Sequence, residues 1–356
     1  MKKLMKGNEA IAEAAIQAGC KCYFGYPITP QNEVPEYMSW RLREMGGVFK
    51  QAESEVASVN MVYGAGAAGV RAMTSSSGLG IALMQEGITN LASTQVPAVF
   101  LNVMRGGPGL GTIQASQADY NQMTRGGGNG DYYLPTYAPS TLQEACDLIQ
   151  KAFDTAFKYR TPVGVMVDAT IGNMMESVDI KENVQPDPSI PDVNEWCIRG
   201  GRREDGSVHR IKGLFNVPEE CEAFNEELAK KYDKIRENEV MVDIKDCEGA
   251  DVVIVAYGTT ARIAKQTMKL GKENGLKIGM VRPQTVWPFP YDELREACRD
   301  AKGVLCAEMA IDQLLQDVKL ALEGTKPIAT YHRLSGVMPS ANDMYDACVK
   351  LAKEAK

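Results

Sequence analysis

The chain has 356 residues, more than one ordinary hydrophobic core accommodates, so two or three domains are expected. With 44% hydrophobic and 24% charged residues and no low-complexity tract, the composition is that of a globular protein and excludes disorder. A formal net charge of -7 without a basic run argues against binding a phosphate backbone, so nucleic acid is not an expected partner.

In chain order, a helical pattern runs from after Asn8 to near Gly19, and Asn8, Glu9 and Glu13 interrupt any apolar stretch that could read as a signal peptide. Short runs rich in β-branched and aromatic residues then predict strands at 21–24, 48–51, 71–74, 98–103 and 163–167. Helical patterns lie between some of them, near 33–45, 54–68, 81–91 and 141–159. This alternation predicts a parallel sheet covered on both faces, with ligands bound beyond the carboxyl ends of its strands. The loops at those ends have unusual chemistry: GYPITP at 25–30, QAESE at 51–55, TSSSGLG at 74–80 and MRGGPGLGT at 104–112.

The alternation lapses at 181–247, a charged and turn-rich linker region that includes GGRREDG at 200–206 and a polar helix at about 218–237. DVVIVAYGTT at 251–260 restarts it with a buried strand, followed by a helix to about Asn274, strands at 277–281 and 303–307, and a helix at 341–355. The predicted class is α/β with two parallel-sheet domains, at 1–180 and 248–356. The second reads as assembly surface, with Glu308 structural. No apolar run approaches the length of a membrane span, so the expectation is a cytoplasmic protein with no membrane partner. Nine scattered cysteines without a CxxC pair read as reduced thiols, and with only His209 and His332 in the chain no metal site is expected.

Taken singly, the motifs specify little. GAGAAG at 64–69 matches a dinucleotide fingerprint, but the helical ESEVASVNMVY precedes it where a strand is required, so close packing is the better reading. GGPGLGT at 106–112 lacks the lysine of a phosphate-binding loop. Arg105 begins that loop, where a guanidinium could grip a carboxylate, although an isolated arginine is commonly solvated. Glu53 and Glu55 sit where carboxylates suit a helix N-terminus whether or not they do chemistry, and Thr29 could merely fix local turn hydrogen bonds.

In combination, YPITP at 26–30, QAESEVAS at 51–58, TSSSG at 74–78 and MRGGPGLGTIQASQADY at 104–120 resemble the alpha-type subunit of the thiamine-diphosphate 2-oxoacid:ferredoxin oxidoreductases. The wording PQNE after YPIT, with GGPGLGTIQASQADY, is most similar to the 3-methyl-2-oxobutanoate (2-ketoisovalerate) branch, with the 2-oxoglutarate branch as the alternative. The resemblance implies a thiamine pyrimidine-binding-type domain followed by a transketolase C-terminal-type domain. It implies that Glu55 hydrogen-bonds N1′ of the cofactor, that Thr29 and Arg105 contact the 2-oxoacid, and that Pro27, Ile28, Thr29, Ser76, Ser77 and Gly78 adjoin the cofactor. The family's diphosphate motif begins GDG, which this chain lacks. The cofactor's diphosphate and its Mg2+ are therefore expected on a beta subunit, and iron–sulfur clusters on a ferredoxin-like subunit. A gamma-type subunit, ferredoxin and CoA complete the implied partners. A non-catalytic assembly subunit and an NAD-binding dehydrogenase remain the rival classes.

Overall fold

A computed structural model describes residues 2–199 and 205–354. Of GGRREDG, only 205 and 206 fall within them. The N-terminal sheet runs Thr285–Trp287, Thr136–Tyr137, Pro162–Asp168, Ala98–Gly106, Ala72–Ser76, Cys22–Gly25 and Val48–Gln51 in spatial order, with Thr112–Ala115 folded back onto Ala98–Gly106. From Thr136–Tyr137 to Val48–Gln51 every pairing is parallel.

The central strand shows why this sheet is buried on both faces. Along Ala98–Gly106 all side chains are buried, and alternation sends Val99, Leu101 and Val103 into one core and Phe100 and Met104 into another. Helices Gly7–Gln17, Glu33–Glu44 and Leu142–Tyr159 cover the first face, and Glu55–Ala67 and Gln85–Ser93 the second. Two of these helices start at side-chain caps: Ser54 Oγ accepts from the Ala57 amide at 3.2 Å and Thr141 Oγ1 from that of Glu144 at 3.1 Å.

The second sheet has the order Val242–Lys245, Ile278–Pro283, Val252–Val255, Gly303–Glu308 and Ile328–His332, parallel except for its first strand. Two findings differ from the sequence reading. Val242–Lys245 lies in the stretch read as linker, and Thr285–Trp287, far down the chain, closes the edge of the N-terminal sheet by antiparallel pairing. Both strands are short, and one is strongly charged, so neither had an apolar run to announce it.

The polar helix Pro218–Asn238 buries Leu228, Tyr232 and Ile235, one stripe at helical spacing, against Trp287. One core cluster passes without a break from Val59, Ile88 and Phe100 to Val253, Val281 and Val304, so the two sheets share packing. No described helix is long and apolar enough to cross a membrane.

Candidate functional site

Because Ala98–Gly106, Ala72–Ser76, Cys22–Gly25 and Val48–Gln51 are adjacent and parallel, the loops that follow them emerge at one edge of the sheet. All the marked loops of the N-terminal half are therefore neighbours. The links between them are specific. Arg105 Nη1 donates to the Thr29 carbonyl at 2.9 Å, and Thr29 Oγ1 accepts from Asn32 Nδ2 at 3.3 Å. Gln31 holds the same loop to the next strand, since its Oε1 accepts from Ser75 Oγ, which also meets the Tyr23 hydroxyl at 2.6 Å. Asn8 Nδ2 reaches the Pro30 carbonyl at 2.8 Å from the first helix.

Of the paired acids, Glu53 is exposed and Glu55 is not: Glu55 is only 5% accessible and opens the helix Glu55–Ala67. Its carboxylate makes no hydrogen bond among the described residues. Beside it lies Gly80, where a Cβ would come within 1.9 Å of Ser76 Oγ and 2.5 Å of Glu55 Oε1. Glu55, Ser76 and Gly80 thus meet with no space for a further carbon. The hydroxyls of Thr74, Ser76 and Ser77 and the Nε of Arg105 are likewise buried without a partner. Gly78 joins strand to helix at φ +47°, a backbone conformation that disfavours a side chain. Pro27 is exposed and Ile28 half-buried, with the Ile28 carbonyl accepting from the Gln31 amide.

Two cavities adjoin the Arg105–Thr29 link. One, of about 190 Å³, is lined by Gly78, Leu79, Arg105, Gly106, Asp119 and Gln122 among others. The second, of about 360 Å³, is lined by Thr29, Pro30, Ile113, Ala115, Ala169 and Met338, with Asn32, Glu33, Gln114, Thr170, Asn173 and Gly336. Among the described residues no lysine, arginine or histidine lines it. A larger hollow, of about 1030 Å³, lies between 245 and 278 on the second sheet, away from these loops.

Several contributors escaped the sequence reading. Asn102 is fully buried in a strand otherwise apolar as far as Met104 and donates to Asp119 Oδ2 at 3.0 Å. Burial pushes the Asp119 carboxyl above the ordinary aspartate range, against the pull of Asn102, the Gly78 amide and Arg105. The signal was present in the lone polar residue of FLNVM. The second domain also does more than offer surface. Gln117 bridges to it, with Nε2 donating to the Tyr257 carbonyl at 2.8 Å and Oε1 accepting from the Met309 amide at 2.8 Å. Asp168 accepts from Thr259 Oγ1 at 2.6 Å and from its amide at 2.8 Å. The segment carrying Asp119 is thereby clamped from the far domain. Glu308 accepts the amides of Gln313, Leu314 and Leu315, the structural task read for it.

Comparison with known proteins decides the family. Residues 13–240 match the thiamine-diphosphate-binding domain model of pyruvate flavodoxin/ferredoxin oxidoreductases, and 250–344 match core domain II of pyruvate:ferredoxin oxidoreductase. The chain belongs to the thiamine-diphosphate-dependent 2-oxoacid:ferredoxin oxidoreductases. Within this family it is 41% identical to the ketoisovalerate oxidoreductase subunit VorB of Methanothermobacter marburgensis, covering 99% of both chains. It is 39% identical to the 2-oxoglutarate synthase subunit KorA of Archaeoglobus fulgidus, over 89% of this chain and 90% of the relative. Among solved structures, 2-oxoglutarate:ferredoxin oxidoreductase from Magnetococcus marinus shares the fold at a TM-score of 0.86 and 24% identity. That match takes in 99% of this chain but spans only 65% of the other's length. A split-gene transketolase matches at a TM-score of 0.62 and 16% identity over 99% of both chains, which supports the transketolase-like architecture. GAGAAG is not a nucleotide loop in this oxidoreductase: Gly64 and Gly66 lie inside the helix Glu55–Ala67, and Gly66 packs on Val96 and Pro97.

Proposed function

We propose that this chain is the alpha-type subunit of a 3-methyl-2-oxobutanoate (2-ketoisovalerate):ferredoxin oxidoreductase. The complex converts a branched-chain 2-oxoacid and CoA to acyl-CoA and CO2 and reduces ferredoxin. The observation that carries the reading is the convergence of a buried, unpartnered Glu55 and unpartnered serine hydroxyls beside the Arg105–Thr29 link. These groups suit a polar heterocycle with a small anion next to it. When bound, thiamine diphosphate supplies the nucleophilic carbon for the 2-oxo group and the electron sink left by loss of CO2.

This chain's residues orient and protonate around that chemistry. Glu55 would hold the aminopyrimidine of the bound cofactor by a hydrogen bond to its ring nitrogen. Pro27, Ile28, Ser76, Ser77 and Gly78 line the pyrimidine side, with Ser76 and Ser77 giving hydroxyls that lack protein partners. Arg105 grips the substrate carboxylate by charge-assisted hydrogen bonds while its Nη1 stays on the Thr29 carbonyl, and Thr29 Oγ1 faces the 2-oxo group. The cavity beside Thr29 supports a branched alkyl substituent. It offers Ile113, Ala115, Ala169 and Met338 and no cation for the second carboxylate of 2-oxoglutarate.

The diphosphate, its Mg2+ and the iron–sulfur clusters are assigned to partners: a diphosphate-binding beta subunit, a gamma-type subunit and a ferredoxin-like subunit. Leu79, Leu83, Leu110 and Ile113 are exposed around the loops, which supports a covering beta subunit there. The test is Glu55→Gln in the assembled complex. It should lower turnover by about 100-fold or more and weaken thiamine diphosphate binding with the melting point preserved. Unchanged turnover and cofactor affinity would remove Glu55 from the reaction.

A further inference from the structure

Asp119 is placed as an N-cap residue, directly before the helical turn Tyr120–Thr124, yet its side chain caps nothing. An aspartate at that position ordinarily accepts an amide of the first turn. Here the carboxylate turns into the sheet. It takes Asn102 Nδ2 at 3.0 Å and lies within reach of the charge of Arg105. It also lines the same 190 Å³ cavity as Gly78 and Arg105. Asn102 stands three residues before Arg105 on one strand, and Gly78 Cβ, were there one, would lie 3.7 Å from Arg105 Nε. Carboxylate, turn and guanidinium line one cavity.

We propose that Asp119 is a positioning residue for Arg105: held by Asn102 on the wall of the cavity they share, its carboxylate offsets part of the guanidinium's charge, so its charge sets how tightly the 2-oxoacid carboxylate is held. The inference rests on the reading of Arg105 as the carboxylate contact. The charged or titratable groups that face Asp119 are Arg105, on the central strand, and Tyr257, from the second domain, whose hydroxyl donates to the Gln117 carbonyl. Tyr257 is held well above its ordinary pKa by burial and stays neutral. Arg105 therefore carries the only charge in this set that Asp119 can modulate. Because the Asp119 carboxyl is raised, it gains its proton at a higher pH than an ordinary aspartate. Below that point Arg105 acts on the substrate without a competing anion.

The experiment uses the assembled, cofactor-loaded complex and follows KM and kcat for 3-methyl-2-oxobutanoate from neutral pH down to the most acid pH at which the complex stays assembled. In the wild type KM should fall as pH drops, since Asp119 becomes neutral while the substrate stays ionised. Asp119→Asn should lower KM at neutral pH by about threefold to tenfold and flatten that slope, with kcat little changed. Asp119→Ala, which also loses the hydrogen bonds, should lower kcat. If Asp119→Asn leaves KM and its pH profile as in the wild type while Arg105→Ala raises KM strongly, the role of Asp119 is wrong and the site reading stands. If Arg105→Ala also leaves KM unchanged, the site reading itself fails. Should Asp119→Asn not assemble, Asn102→Ala, which frees the carboxylate from its 3.0 Å bond, decides: a KM as in the wild type overturns the proposal.

Discussion

Gly80→Ala adds a single carbon at the tightest point of the site. That carbon would sit 1.9 Å from Ser76 Oγ, 2.5 Å from Glu55 Oε1 and 3.0 Å from Glu55 Cδ. Ordinary contacts are roughly 3.5 Å or longer, so Ser76 must swing away and the Glu55 carboxylate must move by about 1 Å. Gly80 lies in the helix Leu79–Leu83, so alanine suits its backbone and the cost falls on the side chains. Overpacking of this kind costs about 1–3 kcal/mol of stability. A 1 Å displacement of a catalytic group costs turnover about 100-fold. The assay is anaerobic viologen reduction by the assembled complex, alongside thiamine diphosphate affinity and thermal unfolding. Gly64→Ala is the control: it lies on the exposed face of a helix with nothing within 4 Å, so it should stabilise slightly and leave turnover alone. If Gly80→Ala kept turnover and cofactor affinity within about twofold of wild type, the Glu55–Ser76–Gly80 contact would have no part in catalysis.

Ile113→Lys places a cation in the cavity beside Thr29, and should shift the kcat/KM ratio toward 2-oxoglutarate by about tenfold or more, measured by competing the two acids. Asp317 accepts from Tyr120, Tyr291 and Arg125 while nearly fully buried, so Asp317→Ala should cost about 3–5 kcal/mol in denaturant titration. Burial, with Arg160 nearby, pushes Lys231 down to about 7. The unfolded chain binds that proton up to an ordinary lysine pKa, so this group makes stability rise with pH from about 7 to about 10 and leaves it flat below. Lys231→Met should remove that rise in melting point, and an equal slope in the variant would contradict the burial argument.

Much of the fold was legible because the strands that form the centre of each sheet are continuous apolar runs. VFLNVM and VVIV announce themselves by composition, and the helices between them by their apolar spacing. What escaped was short or borrowed from elsewhere in the chain. Lys3–Lys6 and Thr136–Tyr137 have too few residues to show a period, and Thr285–Trp287 acquires its strand character only by pairing across more than 140 positions. At the site, the quoted loops named Thr29, Glu55 and Arg105 as candidates, and the parallel order of their strands brings those loops to one edge of the sheet, where Arg105 meets the Thr29 carbonyl. Their supports were less legible, Asn102 alone being marked by the apolar run around it. Gln31, Asn102, Gln117 and Asp119 are polar residues whose meaning lies in partners far along the chain, as when Gln117 reaches Tyr257 and Met309. Glu55 differs from Glu53 only in its direction at a helix start, which charge and spacing alone do not reveal.

The most direct test of the central claim is anaerobic viologen reduction by the purified, co-expressed complex loaded with thiamine diphosphate and supplied with CoA. It compares 3-methyl-2-oxobutanoate, 2-oxoglutarate and pyruvate at equal concentrations. The branched acid should give the fastest reduction. Faster reduction with 2-oxoglutarate would contradict the reading of the cavity beside Thr29, and no reduction with any acid by an intact complex would contradict the enzyme assignment.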